Sequence, residues 1–368
     1  MPFVDLFLMK VVLATGIYPP DIGGPATYVQ ALAKELVQQG VEVTVLTYGK
    51  SNHNSEGKSQ SVVYIAKWGP ILRWWRYARA LRAHASDADI VYVFSSVSCG
   101  VPLLLSRIKQ PKRLLRLGGD FGWERYTDRG GNLGLKDWYA SRPWVRSCMQ
   151  RLLRQFHHVI FSTDFQQNIY KDSYRYLPPH SVLENAIPEG TPELHTKHEP
   201  FRILFLGRFV GFKNLPLLLR AVAKVPGVRL TLVGSGPMEK ALRSLATELL
   251  LEQRVTFLGA VHGDDKQQTF KEYDLLILPS ITEISPNAAL EARAAGLPVL
   301  LTDQTGLSNH LHSDMTLAPL ATPIEITRAL ADAISQYDAL ANAAAQPVPK
   351  RTWKDVADEH FSLFQKLL

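Results

Sequence analysis

DLLILPSITEISPNAALEARAAGLPVLLT, residues 274–302, reads as strand, loop, helix and strand in succession. The run 274–278 is short, apolar after Asp274 and does not alternate, as expected of a strand covered on both faces. Ser285-Pro286 reads as an N-cap followed by proline at the first helical position. The helix is expected to run to about Ala295, where Gly296 and Pro298 stop it. A second apolar strand, 298–302, follows at once. Upstream the same rhythm recurs, with strands at 201–206, 228–233 and 254–258 and helices at 215–224 and 238–250. It recurs again in the first half. Strand 10–15 leads into a loop with Pro19, Pro20, Gly23 and Gly24. Pro25 then opens a helix with Val29, Leu32, Ala33, Leu36 and Val37 at helical spacing, stopped by Gly40. Further strand-like runs lie at 41–47, 62–66, 90–94, 113–117 and 159–162. Strands alternating with helices at this spacing predict an α/β protein with two doubly wound, Rossmann-like domains.

The proline-rich, aperiodic segment IPEGTPELHTKHEP (187–200) marks the boundary. The expected division is a first domain 1–186, a linker 187–199, a second domain 200–350 and a closing helix 351–368. In that helix Trp353, Val356, Ala357, His360, Phe361, Phe364 and Leu367 share one face. It either docks on the second domain or crosses back to the first.

A chain of 368 residues, 46% hydrophobic and 20% charged, has room for two such cores. Its two cysteines, Cys99 and Cys148, suit a reduced compartment and form no CxxC or zinc spacing. The start lacks basic residues, and Asp5 and Lys10 interrupt its apolar run, so it does not read as a signal peptide. Residues before Met9 read as an alternative start or an extra turn of strand. No stretch approaches the roughly 20 apolar residues of a membrane span, and the expected location is the cytoplasm, with the inner face of a membrane as a further candidate. The net charge of +7 is uneven: residues 65–160 carry 17 Lys/Arg and 6 Asp/Glu, an excess of 11, which leaves −4 elsewhere. The first half is therefore expected to meet something anionic.

In doubly wound domains ligands sit beyond the carboxyl ends of the strands. Glu283 lies in such a loop and Glu291 on the second turn of the helix after it. Both carboxylates can face one crevice beside free helix N–H groups, accepting hydrogen bonds from sugar or ribose hydroxyls while the N–H groups hold phosphate. Arg208 and Lys213, in FLGRFVGFKN, precede another helix and suit a diphosphate whose negative charge grows as a bond to it breaks. Gly234 and Gly236, in VGSGP, either admit a nucleotide to the backbone or simply make a tight turn. Gly23 and Gly24 precede the first helix. Asp120, in RLLRLGGDFGWER, follows strand 113–117 and reads either as a site carboxylate or as a loop aspartate. Asp87-Ala88-Asp89 spells D-x-D but precedes a strand, on the wrong edge for a ligand. No histidine pair has metal spacing, and no metal is expected. The segment ILRWWRYARALRAH (71–84) interleaves Arg73, Arg76, Arg79 and Arg82 with Trp74, Trp75 and Tyr77. It reads as an amphipathic helix with buried aromatics, or as a basic aromatic face for anionic lipid.

Glu283 and Glu291, with seven residues between them in PS…E…P…LEA.A.G.PV, resemble the E-x7-E signature of the family 4 retaining glycosyltransferases, which have the GT-B fold of two domains facing across a cleft. The resemblance spans most of the chain from Met9. It implies that Glu291 holds the donor ribose, that Glu283 contacts the transferred sugar and that Arg208 and Lys213 hold the donor diphosphate. It also implies donor-site places for Pro279, Ser285, Asn287, the VGSGP turn and the Gly23-Gly24 loop. Ser162 and Asn185 match structural landmarks. Many relatives carry a histidine where this chain has Asp120. The implied reaction moves a sugar from a nucleotide-diphosphate sugar, a co-substrate with no other cofactor, to an unidentified glycan, polysaccharide-precursor or lipid-linked acceptor. Two other classes fit some of the same residues: a sugar-nucleotide epimerase or hydrolase on this fold, and a non-catalytic protein binding anionic ligands or nucleic acid. The latter leaves both charged pairs unused and lacks a nucleic-acid reading motif.

Overall fold

The structure is a computed structural model that describes residues 9–21, 23–49, 60–67, 69–261 and 263–368. The stretch before Met9, read above as an alternative start or extra strand, lies outside the described residues. The elements follow in chain order as β1 (Lys10–Ala14), α1 (Gly24–Gln38), β2 (Glu42–Tyr48), β3 (Gln60–Ile65), α2 (Pro70–Ala85), β4 (Ile90–Val93), α3 (Gly100–Ser106), β5 (Lys112–Leu117), α4 (Phe121–Thr127), α5 (Leu135–Ser141), α6 (Pro143–Leu153), β6 (His158–Phe161), α7 (Asp164–Ser173) and β7 (His180–Val182). They continue as β8 (Phe201–Leu206), α8 (Leu215–Val222), β9 (Val228–Val233), α9 (Glu239–Glu248), β10 (Val255–Leu258), α10 (Gly263–Lys271), β11 (Leu275–Leu278), α11 (Asn287–Ala294), β12 (Val299–Thr302), β13 (Thr316–Ala318), α12 (Pro323–Ser335), α13 (Tyr337–Ala344) and α14 (Trp353–Leu367).

The chain forms two compact units. Among the described residues the first has a seven-stranded parallel sheet in the order β3-β2-β1-β4-β5-β6-β7. Val11, Leu13, Val43 and Tyr92 face Val29, Leu32 and Leu36 of α1, and α14 adds Val356, Ala357 and Phe364 to this core. The closing helix therefore belongs to the first unit. A capping box, Thr352 with Asp355, starts it. His360 lies fully buried within it, its Nε2 3.0 Å from the Tyr92 hydroxyl and its Nδ1 2.7 Å from the Val356 carbonyl.

The second unit has a six-stranded parallel sheet, among the described residues, in the order β10-β9-β8-β11-β12-β13. Its uniformly buried central strands, such as LLIL in β11 and VLLT in β12, explain why the sequence shows continuous apolar runs rather than alternation.

Two expected boundaries move. Residues 187–199 are not a free connection. The His198 backbone N–H donates to Asp274 Oδ1 at 3.0 Å, and the other oxygen of this fully buried carboxylate accepts from Arg202 N–H at 2.7 Å. A Cβ on Gly190 would lie 2.4 Å from the Ala294 carbonyl oxygen, so only glycine lets this stretch lie against α11. The second shift concerns Gly122–Trp138, expected in the first domain, which packs with the second unit. The Trp123 ring sits 5.3 Å from that of Phe212, Gly211 N–H donates to Asp128 Oδ1 at 3.1 Å, and Leu135 N–H donates to Thr282 Oγ1 at 3.2 Å.

Helix α2 divides its aromatics. Tyr77, Leu81 and Ala85 are buried, and Tyr77 donates to the Leu46 carbonyl at 2.7 Å. Trp75 and Leu72 face outward at 54% and 49% exposure, beside the exposed Arg76 and Arg79. Asp87 and Asp89 both serve Lys10: Asp87 pairs with its ammonium at 3.0 Å and Asp89 accepts its backbone N–H at 2.7 Å. These contacts tie the turn before β4 to the start of β1.

Candidate active site

In the second unit the strand order reverses between β8 and β11, which makes the crevice beyond their carboxyl ends the expected ligand position. The loops leaving these two strands carry Arg208 and Lys213, and Glu283. They are tied together where Ile281 N–H donates to the Phe212 carbonyl at 2.9 Å. That bond sets Lys213, at the end of a 3-10 turn (Gly211–Lys213), against Glu283. Its ammonium pairs with Glu283 Oε1, which also accepts a 2.5 Å hydrogen bond from the Ser280 hydroxyl. Glu283 is 4% exposed. Its own backbone is held on both sides, the N–H donating to Gln304 at 2.9 Å and the carbonyl accepting from Gly306 at 2.7 Å. A carboxylate and an ammonium this well fixed need little reorganisation when a charged ligand arrives.

Helix α11 begins one residue later than the sequence suggested. Pro286, in extended conformation, is the N-cap, and Asn287 is the first helical residue. Ser285 consequently stands outside the helix, and its hydroxyl, buried without a partner, caps nothing. Pro279 is buried at the end of β11 and Asn287 is half-buried. Glu291 lies on the second turn as expected. Its carboxylate pairs with Lys266 of α10, a residue the sequence reading passed over. Nothing local identifies Lys266, because it comes from a separate strand-helix unit.

Arg208 is 54% exposed along its side chain, its Nη2 3.4 Å from Glu124 Oε2. A contact that long and open is weak and leaves the guanidinium available to an anion. Beneath it, Gly234 and Gly236 have a structural task. A Cβ on Gly234 would lie 2.0 Å from the Gly207 carbonyl oxygen, and one on Gly236 would lie 2.4 Å from that of Phe209. Phe209 N–H donates to Ser235 at 2.9 Å. The two glycines thus admit the backbone of the Arg208 loop itself.

In the first unit the strand order reverses between β1 and β4. Gly23 caps α1 with a φ of 153°, and Gly24 begins it. Asp120 departs from the site reading. It is 2% exposed, and Oδ2 accepts from the hydroxyls of Tyr139 at 2.5 Å and Tyr170 at 2.7 Å. Burial first, and the neighbouring carboxylate second, push both phenols well above their ordinary range. Two firm donors on one oxygen make Asp120 the anchor of a buried tyrosine cluster, which removes the role of proton acceptor from that oxygen. Asn185 accepts from Arg116 at 2.8 Å, a structural use.

Known proteins agree with this architecture. Residues 22–190 match the family model of Glycosyltransferase Family 4, and residues 200–337 match that of Glycosyl transferases group 1. Both matches are to glycosyltransferase models, consistent with a family 4 glycosyltransferase, and the chain is an enzyme that transfers glycosyl groups. An uncharacterized glycosyltransferase of Methanocaldococcus jannaschii is 26% identical over 97% of this chain and 98% of that protein. The D-inositol 3-phosphate glycosyltransferase of Mycobacterium marinum is 32% identical over 45% of this chain, a match spanning only 38% of that protein. Among solved structures, sucrose-phosphate synthase from Thermosynechococcus elongatus superposes with a TM-score of 0.78 at 19% identity, covering 98% of this chain and 99% of that one. Anabaena HepE in complex with UDP-glucose superposes at 0.69 and 17% identity, over 98% of each chain. These likenesses identify the fold as GT-B.

Proposed function

We propose that the chain transfers a glycosyl group from a UDP-sugar with retention of configuration. The single observation that carries this reading is the Lys213–Glu283 contact at the reversal point of the second sheet. In the proposed complex Lys213 and Arg208 hold the diphosphate, Glu283 meets the transferred sugar and Glu291 accepts from the ribose hydroxyls. As the bond between sugar and phosphate breaks, negative charge builds on the leaving diphosphate, and the two cations lower the barrier to that step. Uridine is favoured because HepE, which shares this fold, was solved with UDP-glucose. The leaving phosphate then takes the acceptor proton, and no protein nucleophile is assigned.

A thermal-shift panel of UDP-, GDP- and ADP-sugars tests the donor. A ligand at 100 times its Kd adds about 2.7 kcal/mol to stability, and UDP-sugars are expected to give the largest rise in Tm. An equal response to all three would overturn the base assignment, and no response to any would overturn the donor site.

For the acceptor, the outward Trp75 and Leu72 beside Arg76 and Arg79 favour one presented at an anionic membrane surface. No helix among the described residues is long and apolar enough to cross a bilayer, so the proposed association is peripheral. Flotation with phosphatidylglycerol vesicles, lost in Trp75→Ser/Arg76→Ser, is the expected outcome. Equal flotation with neutral vesicles, or by the variant, would remove the membrane reading.

A further inference from the structure

Glu291 is held by Lys266, and the way it is held has a consequence for the donor. The two residues come from different crossovers: Lys266 from the first turn of α10, after β10, and Glu291 from the second turn of α11, after β11. Both are largely enclosed, with 24% and 18% of their side chains exposed. The ammonium meets Oε2, the oxygen of the carboxylate that is shut off from solvent. The contact is ionic rather than a well-directed hydrogen bond. Among the described residues no donor engages Oε1.

We infer that Lys266 is a positioning residue for Glu291: by fixing and neutralising the buried oxygen it turns the other oxygen toward the ribose hydroxyls of the donor. This rests on the proposed role of Glu291. A glutamate side chain otherwise has several rotamers to choose among, and the pair confines it to one before the ligand arrives. A carboxylate near a diphosphate also repels it, and a cation on its far side offsets that repulsion without competing for the hydroxyl-binding oxygen. A charge so enclosed is costly if left without a counter-ion, which is why the partner lies on the closed side.

The test is calorimetric titration of the full chain with UDP and with 2′,3′-dideoxy-UDP, which lacks the ribose hydroxyls. Lys266→Met is expected to weaken UDP binding roughly tenfold, the scale of one impaired hydrogen bond to a charged group, and to weaken dideoxy-UDP binding distinctly less, since only the loss of charge compensation beside the diphosphate acts on that probe. Lys266→Arg, which keeps the charge, should recover most of the UDP affinity. In a Glu291→Gln background the lysine substitution should add little, because the group it acts through has been altered. Equal weakening toward both probes would overturn the inference, since Lys266 would then act on the phosphates or on the fold. So would wild-type UDP affinity in Lys266→Met alongside a weakened Glu291→Gln. If Glu291→Gln binds UDP as the wild type does, the ribose role of Glu291 itself fails.

Discussion

Replacing Lys213 by methionine removes the ammonium from Glu283 while keeping an apolar side chain of similar length. The carboxylate is 4% exposed and, among the described residues, retains only the Ser280 hydroxyl as a side-chain donor. Breaking a buried ion pair from one side costs about 3–5 kcal/mol. Lys213 is 13% exposed along its side chain, so the lower end, about 3 kcal/mol, is appropriate. For a unit of about 180 residues, each kcal/mol moves Tm by about 2–4 °C, which places the expected loss near 9 °C. The companion variant, Lys213→Met with Glu283→Gln, removes both charges and is expected to melt within about 3 °C of the wild type on the same scale. Differential scanning calorimetry at neutral pH reads both, and a transfer assay on the folded single variant should show kcat lower by about 10²–10³. If the single variant melts with the wild type, Glu283 does not depend on this cation. If the double variant is as unstable as the single one, the loss comes from packing, and the electrostatic reasoning is refuted.

Gly236→Ala is expected to lower Tm and weaken UDP binding, because the added Cβ would lie 2.4 Å from the Phe209 carbonyl oxygen; Gly259→Ala, with no atom within 4 Å of its Cβ, should change neither. Asp120→Asn should cost about 1–3 kcal/mol of stability through the tyrosine cluster, while the folded fraction keeps its turnover; a drop of about 10²–10⁴ in kcat would instead restore the catalytic-base reading. Cys99 is fully buried and its thiol is pushed up to about 12 by burial, whereas Cys148 is exposed. Ellman's reagent should therefore count one thiol in the native protein and two after denaturation, and two in the native state would contradict the packing of α3.

The central strands were legible because burial on both faces leaves no alternation to blur: 201–206 and 228–233 coincide with β8 and β9. Strands β7 and β13 went unread, since three residues at a sheet edge, none of them buried, carry almost no pattern. The charged loops were legible for a different reason, namely that Glu283 and Glu291 sit within a single strand-helix unit. Residues 122–138 and Lys266 were not, because their partners, Phe212, Gly211, Thr282 and Glu291, lie far along the chain. Asp120 was legible as a carboxylate in the right loop, but the phenols that enclose it come from α5 and α7, and only tertiary structure brings them there. The cap of α11 shifted by one residue because proline at 286 took up the extended conformation of an N-cap.

The placement of α14 imposes an order on biosynthesis. Val356, Ala357 and Phe364 fill a core whose other walls are complete by residue 186. At about 5–20 residues per second, the ribosome needs on the order of ten to forty seconds to translate from there to Leu367. During that interval the nascent first unit shows solvent a greasy trough beside Tyr28 and Tyr92. A fragment ending at residue 186 would keep that trough permanently, and expressing the first unit alone calls for grafting residues 352–368 back on through a linker.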